Sequence, residues 1–431
     1  MNCDAVIVGA GVMGASIAYE LAKRNLSVVV VDKSGGVGHG STSASSAVVR
    51  FNFSTWAGVA TSWESKFHWE NWGAHLGTID GDLARYEKSG VVFLDVGFAP
   101  RGLYLPLFDS VGVRYEEWDP ERLAAEVPGI DTGRYWPPKR LDDERFWAEA
   151  SGRLGAVHTP DGGYVGDPQL AAANLAAAAV RHGAEFLLNS AVTEVVCRNG
   201  RAGGVVLSDG TRIGAPVIVN AAGPWSGRVN ALAGVGDDFA VSLRPLRQEV
   251  HHVRTASSEP AATAGHVTIA DADLGTYVRG DASGFLVGGT EPECEPLQWV
   301  DDPDTASLDV TASVFDSQVT RAARRLSRLT VPNRPRGVVG VYDVASDWTP
   351  IYDRTSLPGF YVAIGTSGNQ FKNAPVVGRL MVEIIDHCEN GGDHDAHPVK
   401  FEAPYTGNVI DLAAYSRLRT SGEQTSGTVL G

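Results

Sequence analysis

The first residues of the chain form a short apolar run, a glycine turn, a stretch with apolar residues at helical spacing, and a second apolar run. In order these are "DAVIVGAG", "VMGASIAYELAKRN" and "LSVVVVD", which predict a βαβ unit over residues 4–32. The next segment, "GHGSTSASSAVVR" at 38–50, is built of small residues, as expected where backbone passes close to another surface or a ligand. Trp56, Trp63, Phe67 and Trp72 then recur near helical spacing and read as the packed face of a helix.

From about 86 to 150 the pattern is irregular, until "DGGYVGDPQLAAANLAAAAVRHGAEFLL" returns to turn, capped helix and strand. Residues 191–220 read as short strands separated by the turn signals "RNG" and "SDG", ending in the buried run "PVIVNAAGPWSG". The stretch 236–334 is strand-rich and closes on the helical "TASVFDSQVTRAARRL". "GFYVAIGTSGNQFKNAPVVGRLMVEIIDH" gives strand, turn and helix, and beyond about 390 periodicity fades, which reads as an arm or as a partly mobile tail. The expected fold class is therefore α/β. A Rossmann-like nucleotide-binding domain is assembled from 1–85, 155–235 and 335–390, and an interleaved α+β substrate domain on an antiparallel sheet from 86–154 and 236–334, with a C-terminal arm at 391–431.

Composition narrows the partners. A net charge of −15 over 431 residues leaves no concentrated basic surface for nucleic acid or an anionic membrane, so the few basic residues act locally. Cys3, Cys197, Cys294 and Cys388 are scattered, with no CxxC spacing, and read as reduced thiols rather than a disulfide framework or a metal site. The glycine-broken apolar start does not read as a signal peptide, and no unbroken apolar run of about 18 residues follows, so a cytoplasmic protein, monomeric or a small homo-oligomer, is expected.

The candidate chemistry begins with Gly9, Gly11 and Gly14, a GxGxxG placed after a strand and before a helix, with Asp32 ending the next strand. The glycines allow a tight turn and close approach of a pyrophosphate to the helix N-terminus, and the acid can accept ribose hydroxyl hydrogen bonds while disfavouring a 2′-phosphate. That unit alone leaves FAD and NAD open.

Further motifs decide between them. "GSTSASSA", "DGGYVGDP", "NAAGPWSGRV" and "GVYDVASDWTPIYD", with the opening stretch, resemble the FAD-dependent amine oxidases of the D-amino-acid oxidase superfamily over about residues 3–386, closest to the sarcosine and glycine oxidases. The resemblance implies FAD as cofactor, held by Gly9, Gly11, Gly14, Asp32, Ser41, Thr42, Val192 and Ala222, and further along by Gly223, Trp225, Gly340, Gly368, Asn369, Gln370 and Lys372. It also implies that Arg50 and Lys372 grip the carboxylate of a small amine substrate, two cations fixing its orientation by charge-assisted hydrogen bonds. The N–H groups near Asn373 and Ala374, unpaired at a helix start, would face the flavin.

The sequence departs from that family pattern in several places. Gly340 stands where sarcosine oxidases link flavin through cysteine, and His39 lies at the wrong offset for the superfamily's alternative linking histidine, so the FAD is expected to be noncovalent. Leu286 and Thr290 replace a lysine associated with oxygen activation and a histidine, and Tyr342 replaces a glycine oxidase arginine. Tyr342 reads either as a catalytic residue touching substrate or as packing beneath the flavin. Arg247 and Arg279 lie in strands that resemble the family's cavity wall, although an arginine in a sheet more often pairs structurally at an edge; His251 and His252 face opposite ways, so at most one lines the cavity. The implied activity is oxidation of the C–N bond of a glycine-type or N-substituted amino acid, with molecular oxygen as acceptor, giving an imine and hydrogen peroxide; the Leu286 and Thr290 changes suggest a substrate larger than sarcosine, such as an N-carboxymethyl amino acid in a biosynthetic pathway. A dehydrogenase with another acceptor and a non-catalytic flavin-binding subunit are the alternatives.

Overall fold

The computed structural model describes residues 1–254, 267–281 and 284–420. Strands Ala5–Val8 and Val28–Val31 pair in parallel, entirely buried, and helix Val12–Ala22 crosses between them, as the pattern predicts. They lie within a six-stranded sheet in the order Ile351–Arg354, Phe360–Ile364, Val217–Asn220, Ala5–Val8, Val28–Val31, Glu185–Leu187. Every pairing is parallel except the edge strand Ile351–Arg354, which runs antiparallel to Phe360–Ile364. Both faces are covered, which is why these strands read as continuous apolar runs rather than alternating ones. Helices Val12–Ala22, Pro168–Arg181 and Ala374–Glu389 pack on one face. On the other lies the antiparallel meander Val192–Arg198, Arg201–Leu207, Arg212–Gly214, whose "RNG" turn holds Asn199 and Gly200 at φ 51° and 76°.

A second sheet has eight strands in the order Gly337–Ala345, Leu243–Arg254, Gly284–Gly289, Thr276–Asp281, Thr268–Asp271, Val91–Leu94, Ala156–Thr159, Glu116–Trp118. Its pairings are antiparallel except one, Thr268–Asp271 with Val91–Leu94, where two sequence-distant pieces of the chain meet. Helix Ala312–Arg325 covers one face through Phe315, Val319 and Ala322 against Val278, Phe285 and Val287. Side chains of the opposite face, Tyr277 and Ala270 among them, line the site described below. Ala156–Thr159 and Gly337–Ala345 belong to this sheet although they open segments assigned from sequence to the nucleotide-binding part. A short apolar strand carries no mark of the sheet it will join.

The segment after 390 is packed up to residue 420, as an arm laid on the core rather than a mobile tail. Its hairpin, Lys400–Glu402 with Val409–Asp411, buries Phe401 and Ile410 in the main core, and the 3₁₀ turn Leu412–Tyr415 after it adds Leu412 and Tyr415. The Glu64 carboxylate accepts the N–H groups of Tyr405 and Thr406, each at 3.0 Å, and Arg417 forks onto Asp395 at 2.7 and 2.8 Å. Strands of three residues are too short to show a period. Residues 421–431 of the expected arm lie outside the described residues. Among the described residues no helix is long and apolar enough to cross a membrane, and all four cysteines are free.

Candidate active site

The GxGxxG turn brings three pieces of backbone into contact. Gly9 has φ 112°, and a Cβ there would overlap the Ala221 carbonyl; a Cβ at Gly14 would overlap the carbonyl oxygen of Gly9. Gly11 is different. Its hypothetical Cβ meets only Thr42 Oγ1, at 3.4 Å, and it faces a trough of about 320 Å³ between the two sheets. Thr42 Oγ1 accepts the Val12 N–H at 3.1 Å, tying the small-residue segment to the start of the helix. Asp32 Oδ2 accepts the Ala10 N–H at 2.6 Å and Oδ1 the Ser34 N–H at 2.7 Å, so the acid braces the turn while lining the trough.

Of the residues expected around the cofactor, Gly9, Gly11, Asp32, Ser41 and Thr42 line one part of this trough. Val192, Ala222, Gly223, Trp225, Gly368 and Gln370 line the rest. Gly14 is consumed in packing, Gly340 faces Ala44 Cβ at 2.9 Å, and Asn369 and Lys372 line a second cavity instead. His39 is exposed over Gly36, away from the trough. At one end the Lys33 ammonium sits 3.8 Å from the Trp225 ring, and Asp304 accepts from Trp225 Nε1 at 2.9 Å and Arg228 at 2.7 Å. A long trough with small-residue walls, a glycine-lined helix start and an acid near one end suits an adenine dinucleotide.

The second cavity, about 80 Å³, adjoins the trough and shares Ser45, Tyr342, Gly368 and Phe371 with it. Arg50 and Lys372 both line this chamber, 7% and 2% exposed. They flank one ring, with Arg50 Cζ 5.1 Å and Lys372 Nζ 4.8 Å from the centroid of Phe53. Lys372 Nζ donates to the Asn369 carbonyl and Arg50 Nη1 to the Asn52 carbonyl, while the Lys372 carbonyl accepts Trp69 Nε1–H at 2.7 Å. Burial first, and the charge of Arg50 second, push the Lys372 pKa well below the ordinary lysine value. Burial lowers Arg50 to about 10, partly offset by the Glu291 carboxylate.

Tyr342 lines both cavities, so it packs at their junction and also faces the chamber. Burial, then Tyr277 and Glu291, raise its pKa well above the ordinary tyrosine value, which keeps the phenol protonated. Tyr277, hydrogen-bonded to Ser46, and Thr290 complete the chamber's polar lining. Leu286 is half-buried on the strand beside it.

One sequence expectation fails at the helix start. The Asn373 N–H bonds to the Gln370 carbonyl at 2.8 Å and the Ala374 N–H to that of Phe371, because a 3₁₀ turn over Phe371–Asn373 precedes helix Ala374–Glu389. Neither group is unpaired. Arg247 is structural, bonded to Glu249 at 2.6 Å and to the Asp309 carbonyl, but its strand Leu243–Arg254 is interior rather than at an edge. Arg279 is not at a sheet edge but on the interior strand Thr276–Asp281, stacked 4.0 Å from the Tyr164 ring centroid. His251 and His252 face opposite ways, the first fully buried and the second half-buried. Phe53, Trp69 and Tyr277 were not foreseen; Phe53, three residues after Arg50, is the one that proximity could have marked. Among the described residues no cluster of three metal-ligating side chains occurs.

Comparison with known proteins agrees with this geometry. A family model described as "FAD dependent oxidoreductase" matches residues 4–384. A glycine oxidase of Geobacillus kaustophilus is 28% identical over 90% of this chain and 94% of its own length. A 4-methylaminobutanoate oxidase (formaldehyde-forming) of Paenarthrobacter nicotinovorans is 28% identical over 96% of this chain and 47% of that longer protein. Among solved structures, L-proline dehydrogenase from P. horikoshii superposes with TM-score 0.71 at 22% identity, covering 91% of this chain and 94% of that one. The Geobacillus kaustophilus glycine oxidase structure gives 0.70 at 21% identity, covering 92% and 97%.

Proposed function

Because the chain belongs to the family of FAD-dependent oxidoreductases, we propose that it oxidises the C–N bond of a small carboxylated amine, of the glycine or N-substituted amino-acid type. The product is an imine that water splits into a carbonyl compound and a smaller amine or ammonia. The observation that carries the reading is the pair of buried cations, Arg50 and Lys372, on a small chamber that shares a wall with the nucleotide trough. Relatives whose names specify glycine and 4-methylaminobutanoate oxidation, both carboxylated amines, support the substrate class.

FAD supplies a two-electron acceptor. The chain's residues supply the rest. Arg50 and Lys372 receive the carboxylate by charge-assisted hydrogen bonds, and that grip sets which substituents of the amine face the wall shared with the trough. The positive field of the two cations also disfavours an ammonium in the chamber, so the amine binds neutral, with its nitrogen lone pair free. Phe53 presents an apolar ring to both cations, and Tyr342 and Tyr277 offer neutral hydroxyls without adding charge.

The division into a FAD-binding and a substrate domain, the noncovalent state of the flavin and the use of oxygen are parts of the same proposal. At Gly340 no nucleophilic side chain is available, and acid precipitation is expected to release all flavin to the supernatant. Leu286, apolar beside the chamber, favours a second reading with an acceptor other than oxygen. Anaerobic mixing with sarcosine, glycine, proline and N-carboxymethyl amino acids should bleach the flavin; no bleaching by any carboxylated amine defeats the proposal. Peroxide release in air then separates oxidase from dehydrogenase.

A further inference from the structure

A third cation lies beyond the carboxylate pair. Arg279 is 3% exposed, and its Nε and Nη1 have no hydrogen-bond partner. Its closest carboxylate, on Asp281, is 3.9 Å away, itself a third exposed and also 3.4 Å from His252. Stacking on Tyr164 offsets some of the cost of burial, yet a guanidinium with five donors and two idle nitrogens is expensive to hold out of water. Such a group is kept where something arrives to pair with it.

Its position says what that could be. Arg279 follows Tyr277 by two residues on one strand, so both point to the same face of the sheet, roughly 7 Å apart. Tyr277 lines the substrate chamber. The register sets Arg279 beside Thr268, a residue of the chamber wall whose buried hydroxyl is likewise without a partner. Tyr164, on which the guanidinium rests, pairs with Val48, a further lining residue two positions before Arg50. Three neighbouring elements thus carry the chamber wall to Arg279, with Thr268 between it and the cavity.

We propose that Arg279, with the Thr268 hydroxyl, forms a second anion subsite, and that the preferred substrate is an amine bearing two carboxylates. One is held by Arg50 and Lys372, and the other reaches along the sheet to Arg279. This rests on the amine-oxidation reading above and narrows its substrate class. Burial lowers the Arg279 pKa, as expected of a cation that awaits a counter-charge, and a second carboxylate relieves that strain.

The test compares matched pairs on the holoenzyme. Iminodiacetate is set against N-ethylglycine, which keeps the carbon and nitrogen skeleton but has a methyl where the second acid was; aspartate and glutamate, set against alanine and 2-aminobutyrate, carry that acid on the side chain instead. The expected result is a dicarboxylate preference in kcat/KM of about tenfold to a hundredfold in at least one arm, the worth of one charge-assisted pair. Arg279→Gln should lower that preference about tenfold or more, mainly through KM, and Arg279→Lys should restore part of it, with flavin content confirming that both variants fold. A wild-type preference below about twofold in every arm overturns the subsite, as does an Arg279→Gln variant that slows both members of a pair equally. If no carboxylated amine reduces the flavin, the parent reading has failed instead, a distinguishable result.

Discussion

Trp69 donates its indole N–H to the backbone carbonyl of Lys372 at 2.7 Å, and both residues are buried. The bond fixes the turn that aims the lysine, from a helix far away in sequence. Replacing the indole by Phe leaves the carbonyl without its donor, at a cost of about 1–2 kcal/mol. The Trp69→Phe enzyme should show a lower thermal midpoint and a KM for substrate raised several-fold, with kcat less affected. An unchanged KM would remove Trp69 from the positioning of the clamp.

Lys372 is held for binding at the expense of stability. Lys372→Met replaces a buried cation beside another cation by an apolar chain of similar length, so the ligand-free protein should gain about 1–2 kcal/mol at neutral pH. The same change should lower kcat/KM about a hundredfold or more, because the substrate carboxylate loses its partner. A destabilised Met variant would show that the lysine serves the fold rather than the ligand.

The depressed pKa of Lys372 also sets a pH dependence. Only the ammonium attracts a carboxylate, so affinity for an inert anion such as acetate should weaken as pH rises through that lowered pKa, below the ordinary 10.5. Calorimetry in two buffers should find proton uptake on binding that disappears in Lys372→Met. For the empty protein the sign reverses. The unfolded chain keeps this proton to higher pH than the folded one, so stability rises with pH across the same window. Acetate affinity that weakens nowhere below pH 10.5 would contradict the first expectation.

Gly14 and Gly368 are closed to any side chain. Gly14→Ala drives a methyl into the Gly9 carbonyl, so it should cost about 1–3 kcal/mol and yield protein purified largely without flavin. Gly368→Ala meets both a φ of 69° and the Tyr342 ring, and should displace that phenol from the wall common to the two cavities. Flavin absorbance per protein and the rate of flavin reduction are the readouts; full flavin occupancy in Gly14→Ala would refute the packing argument.

The nucleotide half was legible because its chemistry is local: strand, glycines, helix and Asp32 stand within one βαβ unit. Arg50 and Lys372 were reached through the motifs around them, and the chamber brings them together on Phe53. Trp69 and Tyr277 were not legible, since an aromatic residue in a helix or strand gives no sign of what it will meet. Arg279 reads as an edge residue because strand order is invisible in a linear chain; its strand lies between Thr268–Asp271 and Gly284–Gly289, which makes it interior. The packing of residues 391–420 depends on strands of three residues and on ion pairs, neither of which leaves a period.

The strand that carries Tyr342 belongs to the second sheet, yet its Asp343 carbonyl accepts the Ser367 N–H at 2.9 Å from the turn that leads to Lys372. The chain shuttles between the sheets, so neither can be excised as a separate fragment with its half of the centre intact. During synthesis Arg50 is made first, and its companions at 277, 342 and 372 leave the ribosome long after it. A nascent chain therefore exposes no finished anion trap, and capacity to bind ligand should arise in a single late step rather than grow with length.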